Sequence, residues 1–215
     1  MDSLFWYVGV VAPASVLVPI GCALWRYRFI DQALKVILTY LFIAGLTNMA
    51  ASALAFSNRN NLFLLHFYTA IEFALLSLYF LYLIKNKHFR WVIISIMLVF
   101  LFTCIYNAFY IQDIKQFNTY TRSLQAVILP SYGFYYLYKR IGTHHDHALS
   151  KAHYWVVIGL IIYFFSSLIQ FSFSNFLSAN LAKEFRIWLW TLHASIVLVM
   201  YMFFAKAYIL CKDER

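Results

Sequence analysis

Acidic residues are nearly missing from this chain: 215 positions hold eight Asp and Glu, and all charged types together make up 12%. Ordinary soluble domains are about 25% charged, because a folded surface must be wetted. With 64% apolar residues and a mean hydropathy of +0.72, the chain belongs in a bilayer. Polar stretches are short as well. The longest gap between apolar runs, Lys139 to His153, is about fifteen residues, which leaves no room for a soluble domain. Three cysteines, Cys22, Cys104 and Cys211, stand alone without metal-ligand spacing, which argues against a disulfide framework. HExxH, GxSxG, Walker and GxGxxG patterns are all missing, so the common sequence marks of metalloproteases, serine hydrolases and nucleotide binders do not apply.

What is present is a series of apolar runs of the length that a ~30 Å hydrocarbon core asks of a helix rising 1.5 Å per residue. Seven are expected, at 4–25, 33–57, 62–84, 91–111, 118–138, 154–178 and 185–210. The expected fold is all-α: a polytopic membrane protein with seven transmembrane helices forming one domain over 1–215. The opening "MDSLFWYVGV" lacks a basic leader and is read as part of the first span rather than a signal peptide.

The net charge of +9 is read as topology rather than nucleic-acid affinity. With the N-terminus outside, twelve Lys and Arg fall on the inner side against five outside, namely Arg59, Lys115, Arg122, Lys183 and Arg186. The expectation is therefore N-out and C-in, in the plasma (inner) membrane. The basic clusters "RYR", "KNKHFR" and "YKR" would meet lipid headgroups of the inner leaflet. All six tryptophans lie near expected helix ends, as interfacial indoles should.

Short motifs recur in order. "DQALK" after the first run is echoed by "DHALSK" after the fifth. "AFSN" at the end of the second is echoed by "SFSN" at the end of the sixth, and "LLH" in the third by "TLH" in the seventh. Pro13 and Pro19 mark the first run and Pro130 the fifth. Together these point to a 3+1+3 arrangement of parallel repeats. In topology alone it resembles SWEET-type sugar transporters, vitamin-precursor transporters of the PnuC type and microbial rhodopsins. Their motifs do not carry over: there is no Pro-Gln pair, and Lys206 lies near the inner end of the last run rather than its middle.

Polar residues inside the runs share a depth. Counted from their outer ends, Asn48, Glu72, Gln125, Gln170 and His193 lie about eight to eleven residues in, a slab ~12–16 Å below the surface. His66, Asn107 and Arg122 lie higher, about five residues in. Tyr68 and Thr69 share the helix of Glu72, with Tyr68 at i−4. Ionisable groups at such depth face a bundle interior or wet cavity and mark function by default. These ten residues are the expected ligand-binding set, with Tyr68, Tyr106 and Tyr120 as candidate pocket walls. The inner halves of the runs look nearly bare of polar groups. No catalytic residue, metal site or cofactor is assigned, and "THHDH" (Thr143 to His147) is read as a solvated turn rather than a metal site.

Three functions fit these expectations. A small-solute transporter comes first, its unidentified small molecule bound in the outer half. A sensory, receptor-like subunit needing a partner membrane protein or a homo-oligomer is second. An intramembrane lipid hydrolase with a metal held by His66, His193 and Glu72 is third.

Overall fold

In the computed structural model, residues 6–140 and 148–211 are described, with 148–150 as backbone only. The "THHDH" turn and the terminal Lys212 and Arg215 fall outside them. Among the described residues the chain is helical, with no strands. Seven long helices are named here α1 (Tyr7–Trp25), α2 (Gln32–Phe56), α3 (Phe63–Leu83), α4 (Lys87–Ile111), α5 (Thr119–Arg140), α6 (Ala148–Asn180) and α7 (Lys183–Leu210). Six of them, all but α5, are long and apolar enough to cross a membrane, the make-up of a polytopic helical membrane protein.

Helix limits follow local chemistry. Asp31 caps α2 by accepting from Leu34 N–H at 2.9 Å, and Asn86 caps α4 by accepting from Phe89 N–H at 3.0 Å. The Asn86 cap starts α4 at Lys87, four residues before the apolar run, because capping rather than hydropathy sets a helix start. α6 likewise begins at Ala148, six residues ahead of its expected limit. α2 ends in a Schellman turn: Arg59 N–H bonds Leu54 C=O at 2.9 Å and Asn58 N–H bonds Ala55 C=O at 3.0 Å. Asn58 takes φ 52° there, a left-handed conformation that asparagine tolerates.

α1 is irregular. It opens with a π-type turn over Tyr7–Val11, and Pro19 has no N–H for the Ser15 carbonyl. Val18 N–H takes that carbonyl instead at 3.1 Å, so the helix is tightened rather than severed.

Six helices form a ring in the order α1, α2, α3, α5, α6, α7, with α7 closing on α1 and α4 lying outside against α3. Gly133 and Gly159 permit the close approaches of α5 to α6 and of α6 to α7. An added Cβ would meet Ile161 Cγ1 at 2.9 Å from Gly133, and Phe203 Cβ at 3.2 Å from Gly159. The half of the ring nearest the 26–31 and 84–86 connections is packed solid, with Tyr79, Phe80, Phe164, Phe204 and Tyr208 fully buried.

Of the three motif pairs behind the expected repeat, two occupy different helix positions, while Ala33 and Ala148 of the first pair both lie at the start of their helices. Asn58 lies past the end of α2, whereas Asn175 is inside α6, which continues to Asn180. His66 is in the first turn of α3 and His193 in the third turn of α7. Four tryptophans (Trp6, Trp25, Trp91, Trp188) face outward, but Trp155 and Trp190 are half-buried.

Candidate functional site

Glu72 lies in the middle of α3, a position 1% exposed, and three neighbours hydrogen-bond its carboxylate. The hydroxyls of Tyr40 (α2) and Tyr68 (α3) each donate to Oε1 at 3.1 Å. Gln125 (α5) donates through Nε2 to Oε2 at 2.7 Å, leaving its own Oε1 buried without a partner. A carboxylate out of water survives only with such donors, since burying it unpaired costs several kcal/mol.

Arg122, one helical turn before Gln125, is also buried rather than extended to the headgroups. Its guanidinium lies 4.2 Å over the Phe171 ring, and Nη2 donates to Tyr163 Oη at 3.3 Å. It makes no direct ion pair with Glu72 among the described residues, though the two charges act on each other.

Above Glu72 is a cavity of about 380 Å³. Its floor includes Tyr40, Tyr68 and Tyr201, its wall Arg122, Tyr163, Phe171 and His193, and its rim Asn61, Leu62, Phe117 and Asn118. α1 adds Val8, Ala12 and Pro13, and α2 adds Asn48 and Ala51. The Asn48 amide makes no hydrogen bond among the described residues, so it is available to an occupant. His193 is held by Ser167 Oγ, 3.1 Å from Nδ1, and packs edge-on to Phe171. Aromatic walls with a few convergent polar groups are the usual make-up of a small-molecule site. No known protein family, curated protein or solved structure matches this chain. What the site does must therefore be read from its own residues.

Of the ten residues expected to bind, Asn48, Tyr68, Arg122 and His193 line the cavity, and Glu72 and Gln125 lie directly beneath it. The others have different surroundings. His66 Nε2 meets Gln116 C=O at 3.2 Å, and Thr69 Oγ1 accepts from Asn118 Nδ2 at 3.3 Å, so both brace the 112–118 connection at the rim. That connection is further tied by a reciprocal pair: Phe117 N–H donates to Asn175 Oδ1 and Asn175 Nδ2 donates to Phe117 C=O, each at 3.0 Å. Among the described residues Asn107 is buried with both amide atoms unpartnered, away from the cavity lining, and Gln170 faces a separate small cleft beside Arg186. Tyr106 and Tyr120 are exposed and wall nothing, because three- and four-residue steps carry them to the outer faces of α4 and α5. Among the described residues no three His, Cys, Asp or Glu side chains could share a metal, so His66, His193 and Glu72 do not form one site.

Polarity in the opposite half departs from expectation. His153 (α6) meets Asp31 Oδ2 through Nε2 at 3.0 Å and Tyr79 Oη through Nδ1 at 3.3 Å. Since an ionised Asp31 can only accept, Nε2 carries the proton there. Burial alone would raise the Asp31 pKa; the His153 hydrogen bond and charge, with the Leu34 and Ala33 amides, outweigh it and hold the carboxyl below its usual 3.8. This chain of three clamps α2, α3 and α6 beneath the packed core. Its signal was legible in "DQALK" and in a histidine immediately before an apolar run. For the cavity itself the missed signal was tyrosine at mid-helix depth (Tyr40, Tyr163, Tyr201) instead of at the ends, where interfacial tyrosines belong.

Proposed function

We propose that this chain is a seven-span protein of the plasma membrane, with its N-terminus outside, that binds a small solute in the cavity above Glu72 and carries it across the bilayer. α5 is the seventh span in this reading. Its buried face carries Thr119, Thr121, Arg122 and Gln125, while its exposed face presents Tyr120, Leu124, Val127, Phe134 and Tyr138. Polar groups inside and apolar groups outside is the arrangement lipid imposes. The inner excess of Lys and Arg supports the orientation.

The single observation that carries the reading is the cavity of about 380 Å³ with an arginine in its wall and a hydrogen-bonded carboxylate under its floor. Those charges are expensive in a bilayer and would not be needed to hold helices together. The side away from the rim is shut by the packed core and the Asp31–His153–Tyr79 clamp, so release inward requires α2 and α6 to part there. The same solid packing favours a second reading, a sensory subunit whose occupied cavity is reported by a partner chain.

The test is mass spectrometry of small molecules retained by the purified protein, wild type against Ala51→Trp, which fills the cavity from α2. Retention by wild type alone is expected; equal retention, or none in either, refutes the assignment. Solute counterflow in proteoliposomes then separates carriage from sensing.

A further inference from the structure

Arg122 is the one Lys or Arg among the residues lining the cavity, and it is unequally satisfied. One nitrogen reaches Tyr163 and one face covers Phe171, while its nearest opposite charge, Glu72, is beyond ion-pair distance. A buried guanidinium without a direct counter-ion is a receptor for one, and its planar fork suits a carboxylate held by two parallel bonds. A single cation does not suit a phosphate dianion. Four aromatic side chains of the lining, Phe171, Trp190, Tyr68 and Tyr163, favour a flat apolar body.

Resting on the solute-binding reading above, we infer that the occupant is a small monocarboxylate with an aromatic or apolar body, bound by Arg122, and that each one enters with a proton taken by Glu72. The charge balance is closed. Before binding, Arg122 and Glu72 offset each other across the floor. When an anion pairs directly with Arg122, Glu72 becomes a surplus negative charge in a low-dielectric site, and one proton from the outer solution restores neutrality.

The neighbours allow both protonation states. Facing Glu72 are Tyr40 from α2, Tyr68 from its own helix, Arg122 and Gln125 from α5, Tyr163 from α6 and Tyr201 from α7. α4 packs on the same helix through Phe100, stacked on Phe73 at 3.8 Å, and places no charge among the groups acting most strongly on Glu72. The telling feature is Gln125. Its Nε2 donates to the ionised carboxylate, and its unpartnered Oε1, brought round by an amide flip, accepts from the protonated acid.

The experiment is equilibrium binding of radiolabelled benzoate to the full chain in nanodiscs between about pH 5 and about pH 8, where benzoate stays an anion, with benzamide and benzylamine as neutral and cationic competitors. Benzoate should bind, benzamide and benzylamine should compete poorly, and affinity should weaken by up to about tenfold per pH unit on raising pH, the slope of one linked proton. Glu72→Gln should bind with a flat profile. Arg122→Gln should lose benzoate, and Arg122→Lys, which keeps charge and fold but not the fork, should weaken it by about tenfold. Benzamide binding as tightly as benzoate, no benzoate binding at all, or a pH slope that persists in Glu72→Gln overturns the inference. The cavity reading is judged apart from it. If benzamide binds wild type but not Ala51→Trp, the site stands while its anion and proton chemistry falls.

Discussion

Asp31 performs two jobs, and a pair of substitutions separates them. Through Oδ1 it caps α2, and through Oδ2 it holds His153. Asparagine caps as well as aspartate, so Asp31→Asn keeps the helix start and removes only the charge from the clamp. The Asp31 side chain is 38% exposed against 8% for His153, so solvent screens the pair and its worth lies near the exposed-pair range, about 1 kcal/mol. Asp31→Ala also removes the cap, for a total of about 2 kcal/mol. The folded pKa of Asp31 is depressed below 3.8, so its contribution is fully present above that pH and disappears as pH falls through the lower folded value. The gap between wild type and Asp31→Asn should be constant above about pH 4 and close below it. Thermal unfolding followed by tryptophan fluorescence in detergent, across that range, reads both effects. If Asp31→Asn costs as much as Asp31→Ala, or the gap stays open in acid, Asp31 is not an ionised acceptor in the clamp and the argument fails.

Four further outcomes follow from close packing, local conformation and burial. Gly133→Ala places a Cβ 2.9 Å from Ile161 Cγ1, and overpacking less the gain in helix propensity should cost about 1 kcal/mol. Gly45→Ala, whose nearest neighbour is Val16 Cγ1 at 3.5 Å, should be neutral or stabilising, both glycine variants being compared with wild type by SDS unfolding titration. Asn58→Ala should lose about 1 kcal/mol for its left-handed backbone while Asn58→Gly loses almost nothing, compared by midpoint of thermal unfolding. Cys211 is buried and its thiol is pushed up to about 11, chiefly by burial, so maleimide at neutral pH should leave it unmodified until the protein is unfolded, as mass spectrometry of the intact chain will show.

The helices were largely legible because a bilayer dictates their length: all seven expected segments overlap an observed helix. α5 is instructive. Its Arg122 and Gln125 lower its apolarity, yet its outward face still presents the apolar and aromatic residues Tyr120, Leu124, Val127, Phe134 and Tyr138. The level of Glu72 was also readable, since a carboxylate in an apolar run has few places to go. Which residues turn toward it was not, because depth along a helix is a one-dimensional quantity and facing is set by the ring. His66 and Thr69 share the flank of Glu72 but meet the rim connection, which folds back over α3 and consumes their hydrogen bonds. Asn107 has suitable depth and the wrong helix, since α4 stands outside the ring. The Asp31–His153–Tyr79 clamp joins positions 122 residues apart at its first link, a distance that no spacing rule reaches.

Two phenol rings lie between the acid and the hollow, so in direct contact a guest meets Tyr40 and Tyr68 and not the Glu72 carboxyl itself. Exchanging Ala51 or Phe171 would change which shapes are admitted and leave the geometry around the acid intact. In the solute-binding reading proposed above, selectivity and energetic coupling would thus occupy different storeys of one bundle.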